Sequence, residues 1–196
     1  YEQAGAMLLI EVDGSNEAQV EQEYETIGEL CLEHGAIEVY VADNSTTQER
    51  VWSVRRNIAE AFKVYSPVQS LEDIVVPFAQ IPDLIPELEW LSQKYNVKIP
   101  CYGHAGDGNL HATVVKHPET PMDQWPELEE AVLRDLYRAV ADLGGTLSGE
   151  HGIGSKRRAF LPLIMDETLI DVQRRIKAAF DPNDILNPGK IFPERG

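Results

Sequence analysis

The sequence has little cysteine, no long apolar run and few positive charges. Its two cysteines, Cys31 and Cys101, fit neither a Cys-x-x-Cys pair nor a zinc-finger spacing. We therefore expect two reduced thiols in a reducing, cytoplasmic compartment. No apolar run approaches the roughly 18 residues that a transmembrane helix needs, and the chain shows no signal-peptide pattern.

The shortage of basic residues excludes some classes of partner. Lys and Arg number 17 against 33 Asp and Glu, which gives a formal net charge of −16. A nucleic-acid or anionic-membrane surface would need basic patches that this composition does not favour. An anionic substrate would need locally placed cations. With 196 residues, 43% of them hydrophobic, the chain can bury the core of one domain. It starts at Tyr1 without a methionine, and we expect it to be a piece of a longer protein.

The order of the apolar periodicities predicts an α+β fold. Apolar runs predict strands over residues 6–12, 37–41, 74–76, 97–102 and 110–115. Helical spacing predicts helices over residues 16–34, 47–65, 82–95, 128–143 and 167–180. Two β-α-β units in the first half indicate a ferredoxin-like arrangement. We expect a mixed or antiparallel sheet with helices on one face, followed by a helical C-terminal segment.

Residues 102–111, with the sequence YGHAGDGNLH, predict a β-hairpin. An Asp-Gly pair between two strand-like runs is typical of a two-residue turn, whose central residues both need φ > 0. If Asp107 and Gly108 form that turn, His104 pairs with His111. Directly opposed residues on antiparallel strands have Cβ atoms roughly 4.5–5.5 Å apart, so both imidazoles could bind one metal ion. The alternative is an ordinary polar face.

A second glycine-rich stretch, residues 148–154, contributes a carboxylate and another imidazole. Glu150 and His151 are adjacent, so in extended backbone their side chains point to opposite sides. One could then complete a metal site while the other faces a substrate. A carboxylate is a natural third ligand for an open catalytic zinc or manganese site. The alternative is a glycine-rich connector with incidental charges.

Several motifs together resemble a known family. They are residues 103–111 (GHAGDGNLH), 149–154 (GEHGIG) and 187–191 (NPGKI), with 52–55 (WSVR) and 73–77 (DIVVP) in support. The chain resembles the C-terminal half of FAD-linked 2-hydroxyacid dehydrogenases of the vanillyl-alcohol-oxidase superfamily. That group includes D-lactate dehydrogenases, the glycolate oxidase D subunit and D-2-hydroxyglutarate dehydrogenase. The likeness covers nearly the whole chain in the right order, which makes it more specific than any single motif.

The resemblance implies a metal centre with a base beside it. His104, His111 and Glu150 match the divalent-metal ligands of the family, and zinc or manganese is the expected ion. His151 matches the general base. An imidazole suits that role because it can accept a proton near neutral pH.

The resemblance also implies residues that contact the substrate and the flavin. Arg55 matches a cation that holds the substrate carboxylate, and Asn109 matches a polar residue on the substrate side. Asn187, with Lys190 as a weaker candidate, matches a stretch that approaches the flavin.

The chain departs from the family pattern twice. It has Leu71 and Glu72 where some members carry a second basic residue, and Phe78 where lactate- and glycolate-type members often have an arginine. Both departures disfavour a dicarboxylate, or any substrate that requires two cationic clamps.

The resemblance divides the chain by function. Residues 1–145 would form a substrate or cap domain, and residues 146–196 the Glu-His loop and a helical segment that packs against a flavin domain. That N-terminal domain, which would bind most of the FAD in cis, is absent from this chain. The sequence does not identify the electron acceptor, and it is compatible with a homo-oligomer.

The predicted function is oxidation of a small D-2-hydroxy acid, of the lactate or glycolate type, to the 2-oxo acid. Two alternatives belong to other classes. The chain by itself would be a metal- or ligand-binding module without turnover, or Glu150 and His151 would serve a zinc hydrolase that needs no flavin.

Overall fold

A computed structural model describes residues 3–194 and confirms the α+β class. The chain separates into two compact units, Tyr1–Ile58 and Ala59–Gly196. The predicted functional division after residue 145 lies inside the second unit, and it stays a prediction about which segment contacts which ligand.

The first unit contains α1 (Glu17–Glu33) and most of α2 (Ser45–Tyr65). The α1 helix begins as predicted, with the side chain of Asn16 accepting a hydrogen bond from the Gln19 N–H at 3.3 Å. The predicted strands over 6–12 and 37–41 are wrong, because neither segment is a hydrogen-bonded strand. Strand propensity describes a fit to a paired, half-buried surface, and these segments leave most of their large apolar side chains exposed.

The second unit holds the remaining helices and all strands found in residues 3–194. They are β1 (Gln69–Val75), α3 (Ile81–Tyr95), β2 (Cys101–His104), β3 (Asn109–Val115), α4 (Trp125–Asp142) and α5 (Glu167–Phe180). The predicted helices therefore appear close to their expected bounds, while β1 begins five residues before the predicted strand at 74–76. No helix within the described residues is long and apolar enough to cross a membrane.

The three strands form a sheet in the order β1-β3-β2. Both outer strands run antiparallel to β3, so they run parallel to each other, and α3 connects them. This is the split β-α-β arrangement of ferredoxin-like folds. The later of the two predicted β-α-β units is therefore formed.

Successive side chains of each strand alternate between the two faces of the sheet, and one of these faces packs against the core. Ile74 pairs with Leu110, and Glu72 with Ala112, on the core face. The helices α3 and α4 supply nine buried apolar side chains of the same cluster: Leu84, Leu88, Leu91, Trp125, Val132, Leu133, Leu136, Tyr137 and Val140. Because successive residues in a strand point to opposite sides, Asp73 and His111 lie on the other face.

Glu72 is a fully buried carboxylate within that core. It accepts hydrogen bonds from Ser70 Oγ at 2.9 Å and from the Tyr137 hydroxyl. It also forms ion pairs with Lys156 Nζ at 2.5 Å and Arg157 Nε at 3.3 Å. Burial, and then the adjacent Glu72 charge, raise the pKa of Tyr137 far above its usual range. These partners anchor the segment after the Glu-His loop to β1.

Two glycines of the hairpin allow a matched test of its packing. A Cβ on Gly103 would lie 2.2 Å from the Asn109 carbonyl oxygen, whereas a Cβ on Gly106 meets nothing within 4 Å. We expect Gly103→Ala to lower the free energy of unfolding by about 1–3 kcal/mol, and Gly106→Ala to change it by less than about 0.5 kcal/mol. Urea unfolding followed by tryptophan fluorescence measures both, because Trp125 is buried in the core and becomes exposed on unfolding. Equal midpoints for the two variants would contradict the hairpin geometry.

Candidate metal and catalytic site

The hairpin does not have the predicted register. Tyr102 pairs with His111, and His104 pairs with Asn109. The predicted pairing of His104 with His111 was therefore wrong by two residues. A two-residue turn needs positive φ at both central positions, but only Gly108 has it, with φ 75°; Ala105–Asp107 forms a 3₁₀ turn instead.

The corrected register places two rows of side chains on the face opposite the core. Asp73 of β1, His111 of β3 and Tyr102 of β2 form one row across the sheet. His104 lies in the next row, opposite Asn109. A shift by two residues preserves the face, so His104 and His111 share it but are not directly opposed. The metal-ligand role of His104 stays a prediction.

Four side chains converge beside this face: Asp73, His111, Glu150 and His151. One ligand atom from each lies within 4.8 Å of the others. Glu150 Oε1 lies 3.5 Å from His111 Nε2 and 3.8 Å from His151 Nε2. The two imidazole rings are stacked, with centroids 5.3 Å apart and planes at 14°. The carboxylate of Glu150 thus faces a nitrogen of both histidines.

The side chains of Glu150 and His151 therefore do not point to opposite sides, and that prediction was wrong. It assumed extended backbone, whereas residues 148–151 form a bend. The N–H groups of Gly149, Glu150 and His151 all donate to Asp73 Oδ2, at 2.9, 2.8 and 2.7 Å. The bend turns both side chains toward His111.

Asp73 carries its charge in a buried position. Burial alone would raise the pKa of this carboxyl, but the N–H groups of His151 and Glu150 and the Ser148 hydroxyl hold it below its usual range. The Ser148 Oγ donates to Asp73 Oδ2 at 2.8 Å. Asp73 therefore presents a negative charge to the site.

The cluster is buried on the sheet side and open on the loop side. The Asp73 and His111 side chains are 0% and 11% exposed, whereas those of Glu150 and His151 are 52% and 40% exposed. A small substrate could therefore reach the two loop residues from solvent.

The residues of the cluster fit a divalent cation. Imidazole nitrogens with carboxylate oxygens are a donor set of open zinc and manganese sites. Asp73 Oδ1 is buried without a hydrogen-bond partner among the described residues. Buried polar atoms normally have a partner, so this oxygen leaves an uncompensated negative charge beside His111, which favours a cation in the cluster electrostatically.

Asn109 lies against the glycine-rich loop. It is 9% exposed, and its Oδ1 is another buried atom without a hydrogen bond in the described part of the chain. A Cβ on Gly149 would lie 2.7 Å from this oxygen, so the loop can approach Asn109 only with glycine there. The predicted substrate contact of Asn109 stays a prediction.

The predicted flavin segment lies beside the same loop. The Ile191 N–H donates to the Gly154 carbonyl at 2.7 Å, and Arg158 Nη1 donates to the Gly189 carbonyl at 2.7 Å. Asn187 and Lys190 are exposed. The C-terminal motif therefore contacts the end of the glycine-rich stretch at Gly154, and the flavin role of Asn187 and Lys190 stays a prediction.

Arg55 lies on α2 in the first unit. Its predicted grip on the substrate carboxylate stays a prediction.

Sequence reasoning missed the role of Asp73. The residue was noted only as the first position of the DIVVP motif. The sequence does contain one signal for it, an acidic residue directly before a short apolar run that is expected to be buried. A buried carboxylate needs several hydrogen-bond donors, so such a residue indicates a site where other groups converge. The identity of those donors could not be read from the sequence, since three of them are backbone N–H groups more than 70 residues away.

The chain is similar to several known proteins over nearly its whole length. The chain is 36% identical over 189 residues to the glycolate oxidase subunit GlcD of Bacillus subtilis, which covers 96% of this chain and 40% of that protein. It is 34% identical over 187 residues to the D-lactate dehydrogenase of Anaerostipes hadrus, with 95% and 39% covered. It is 31% identical over 187 residues to the D-2-hydroxyglutarate dehydrogenase of Stutzerimonas stutzeri, with 94% and 40% covered.

The chain spans about two fifths of the length of these relatives. A family described as "FAD linked oxidases, C-terminal domain" matches residues 1–191. Both the motif order and this match cover nearly the whole chain, and so this protein belongs to the FAD-linked oxidase C-terminal domain family.

Proposed function

We propose that this chain is the substrate- and metal-binding part of an FAD-dependent enzyme that oxidises a small D-2-hydroxy acid to the 2-oxo acid. The observation that carries the proposal is the convergence of His111, Glu150 and His151 on the open side of the sheet. Family membership supports FAD as the redox cofactor. The names of the relatives support a 2-hydroxy acid as the substrate.

We propose that His111 and Glu150 hold the divalent cation, with His104 as a further ligand from the same sheet face. A bound cation would polarise the substrate hydroxyl and orient the substrate. The proposal is supported by the contact between Glu150 Oε1 and His111 Nε2 at 3.5 Å, and by the buried anionic Asp73 behind them, which favours a cation electrostatically.

The proposed base is His151. Its Nε2 lies 3.8 Å from Glu150 Oε1, so a hydroxyl bound at the metal would be within reach of this imidazole. Oxidation of the alcohol requires removal of the hydroxyl proton and of the Cα hydride. His151 would accept the proton, while FAD supplies the acceptor for the two-electron hydride transfer.

The C-terminal segment is proposed to pack against the flavin domain. One stripe of α5 leaves large apolar side chains exposed, namely Leu169, Val172, Ile176 and Phe180, and Ile185 and Leu186 follow them. An apolar surface of this kind is typical of an interface. The remaining three fifths of the relatives' length supplies a partner of the required size in cis.

We propose a small monocarboxylate as the substrate. Glu72, which stands where some family members carry a second basic residue, faces the core and pairs with Lys156 and Arg157. The exposed, apolar Phe78 follows Pro77, where lactate- and glycolate-type members often have an arginine, so it supplies no second cation either. Lactate- or glycolate-sized substrates are proposed because their single carboxylate needs only one cation.

The test is anaerobic reduction of the flavin in the full-length natural protein. We expect D-lactate or glycolate to bleach the flavin absorbance and to yield one 2-oxo acid per flavin reduced, with D-2-hydroxyglutarate slower and L-lactate inactive. Absence of bleaching with any 2-hydroxy acid would contradict the proposal. Metal binding without flavin reduction would favour the binding-module alternative, and ester or amide hydrolysis without flavin would favour the hydrolase alternative.

A further inference from the structure

We propose that Asp73 is a positioning residue, which holds the Glu150–His151 bend through Oδ2 and places a buried negative charge behind the His111 imidazole through Oδ1. The inference rests on the metal site proposed above. It assigns Asp73 no bond to the metal and no contact with substrate. Its role is to determine where the ligands and the base lie.

The Oδ2 atom is the centre of a cage of four donors. The Ser148 hydroxyl donates at 2.8 Å, and three successive N–H groups, from residues 149, 150 and 151, donate at 2.9, 2.8 and 2.7 Å. Consecutive N–H groups that point at one anion form a nest. A carboxylate has about four lone-pair sites over both oxygens, so this oxygen has no capacity left for a metal.

The cage explains why the side chains of Glu150 and His151 lie together. Successive side chains in extended backbone diverge. When three successive N–H groups are directed at one point, the backbone bends around that point. Glu150 Oε1 and His151 Nε2 are consequently only 3.8 Å apart. Without the anion, the N–H groups of Glu150 and His151 would lose their acceptor, whereas the Gly149 N–H would keep its second acceptor, the backbone carbonyl of Asp73, at 3.2 Å.

The Oδ1 atom faces the imidazole of His111. It lies 3.8 Å from His111 Nδ1, while Nε2 of the same ring lies 3.5 Å from Glu150 Oε1. The two ring nitrogens thus face different carboxylates. At 3.8 Å the contact between Oδ1 and Nδ1 is longer than a hydrogen bond. The Oδ1 atom therefore acts on this ring through its charge, on the side away from Glu150.

The neighbouring acid provides a matched control. Glu72 and Asp73 are both 0% exposed and adjacent on β1, and they face opposite sides of the sheet. Asp73 holds the start of the loop at residues 148–151. Glu72 pairs with Lys156 and Arg157, at the loop's other end. Glu72→Gln therefore removes a buried charge from the same strand without touching the cage.

The first experiment uses the metal-free chain. We expect Asp73→Asn to accelerate amide hydrogen exchange at Glu150 and His151 by about tenfold to a hundredfold, because their hydrogen bonds to an ionised acceptor are weakened. The Gly149 amide should change less, because it also donates to the Asp73 backbone carbonyl. The amides of β3 should keep their protection, as should the three cage amides in Glu72→Gln. Unchanged exchange at the cage in Asp73→Asn would overturn the proposal.

The second experiment uses Co²⁺ as a spectroscopic probe of the metal site. We expect Asp73→Asn to weaken Co²⁺ binding by about 10- to 100-fold, with the visible spectrum of the saturated complex unchanged because the ligands are the same. Glu72→Gln should bind Co²⁺ within about threefold of the natural chain. A changed spectrum in Asp73→Asn would make Asp73 a ligand, and equal losses in both variants would show general damage. Either result overturns the positioning role.

A milder variant covers the case in which Asp73→Asn does not fold. Ser148→Ala removes one donor to Oδ2 and leaves the charge in place. We expect exchange of the three cage amides to accelerate several-fold, and Co²⁺ binding to weaken less than tenfold. No change in either measurement would overturn the proposal. If the natural chain does not bind Co²⁺, the metal site fails, whereas amide exchange still decides whether Asp73 holds the bend.

Discussion

Replacing His151 with asparagine is expected to lower turnover of a D-2-hydroxy acid by about 10²–10⁴-fold, the usual loss when a general base is removed. Asparagine can still form hydrogen bonds, but it cannot accept the hydroxyl proton. Because the His151 side chain is 40% exposed and its Nε2 faces Glu150, the change should leave the fold and the metal in place. Flavin reduction by substrate in the full-length protein, followed by stopped flow, measures the effect.

The control for this prediction is His117→Asn. His117 follows β3 and lies outside the cluster, where its Nδ1 accepts a hydrogen bond from the Glu119 N–H at 3.3 Å. We expect that variant to turn over within about twofold of the natural enzyme, as is usual for substitutions away from a site. If His151→Asn retained full turnover with the same metal content, another residue would have to be the base.

The second large effect is expected from Glu150→Gln, which should weaken the binding of zinc or manganese by roughly a hundredfold or more. Changes to residues that only support a ligand typically weaken metal binding by about 10- to 100-fold, and loss of a ligand itself should weaken it further. Glutamine keeps the size of the side chain but removes the charge that faces His111 Nε2 at 3.5 Å. Competition with a chelator of known affinity measures the dissociation constant.

Two further variants make the metal result specific. Glu119→Gln removes one negative charge from an exposed loop position outside the cluster, and its metal affinity should stay within about twofold. His104→Ala tests the ligand implied by the family resemblance. A strong loss would retain His104 as a ligand, whereas an undiminished metal content would remove it. Equal affinities for Glu150→Gln and Glu119→Gln would contradict the proposed centre.

Local sequence signals predicted the helices well and the strands unevenly. A helix forms its backbone hydrogen bonds within its own segment, so local spacing suffices to predict it. The helix predicted over 167–180 forms, and the Asp166 side chain caps it by accepting from the Leu169 N–H at 2.8 Å. A strand depends on a partner. The segments 6–12 and 37–41 have strand-like patterns but no ladder, and their pattern alone could not show this.

The hairpin turn is a second case in which a local sequence pattern did not predict the structure. The Asp-Gly pair favours a two-residue turn locally, but the register of β3 is determined by its pairing with β1 across a buried core. The Val76 N–H donates to the Gly108 carbonyl at 3.2 Å, and a Cβ on Gly108 would lie 1.9 Å from the Val76 carbonyl oxygen. These long-range contacts prevail over the local preference, and His104 lies opposite Asn109 as a result.

The sequence by itself determined the chemistry that is present: the imidazoles and carboxylates of two glycine-rich motifs, in an order that identified the family. Residue types and their spacing carry that information directly. Only the tertiary structure decided that Asp73 holds the bend and that Glu150 and His151 point the same way. The physical reason is that a buried anion draws backbone N–H groups from a distant loop, and every residue has the same N–H group apart from proline. Such donors cannot be recognised from the sequence.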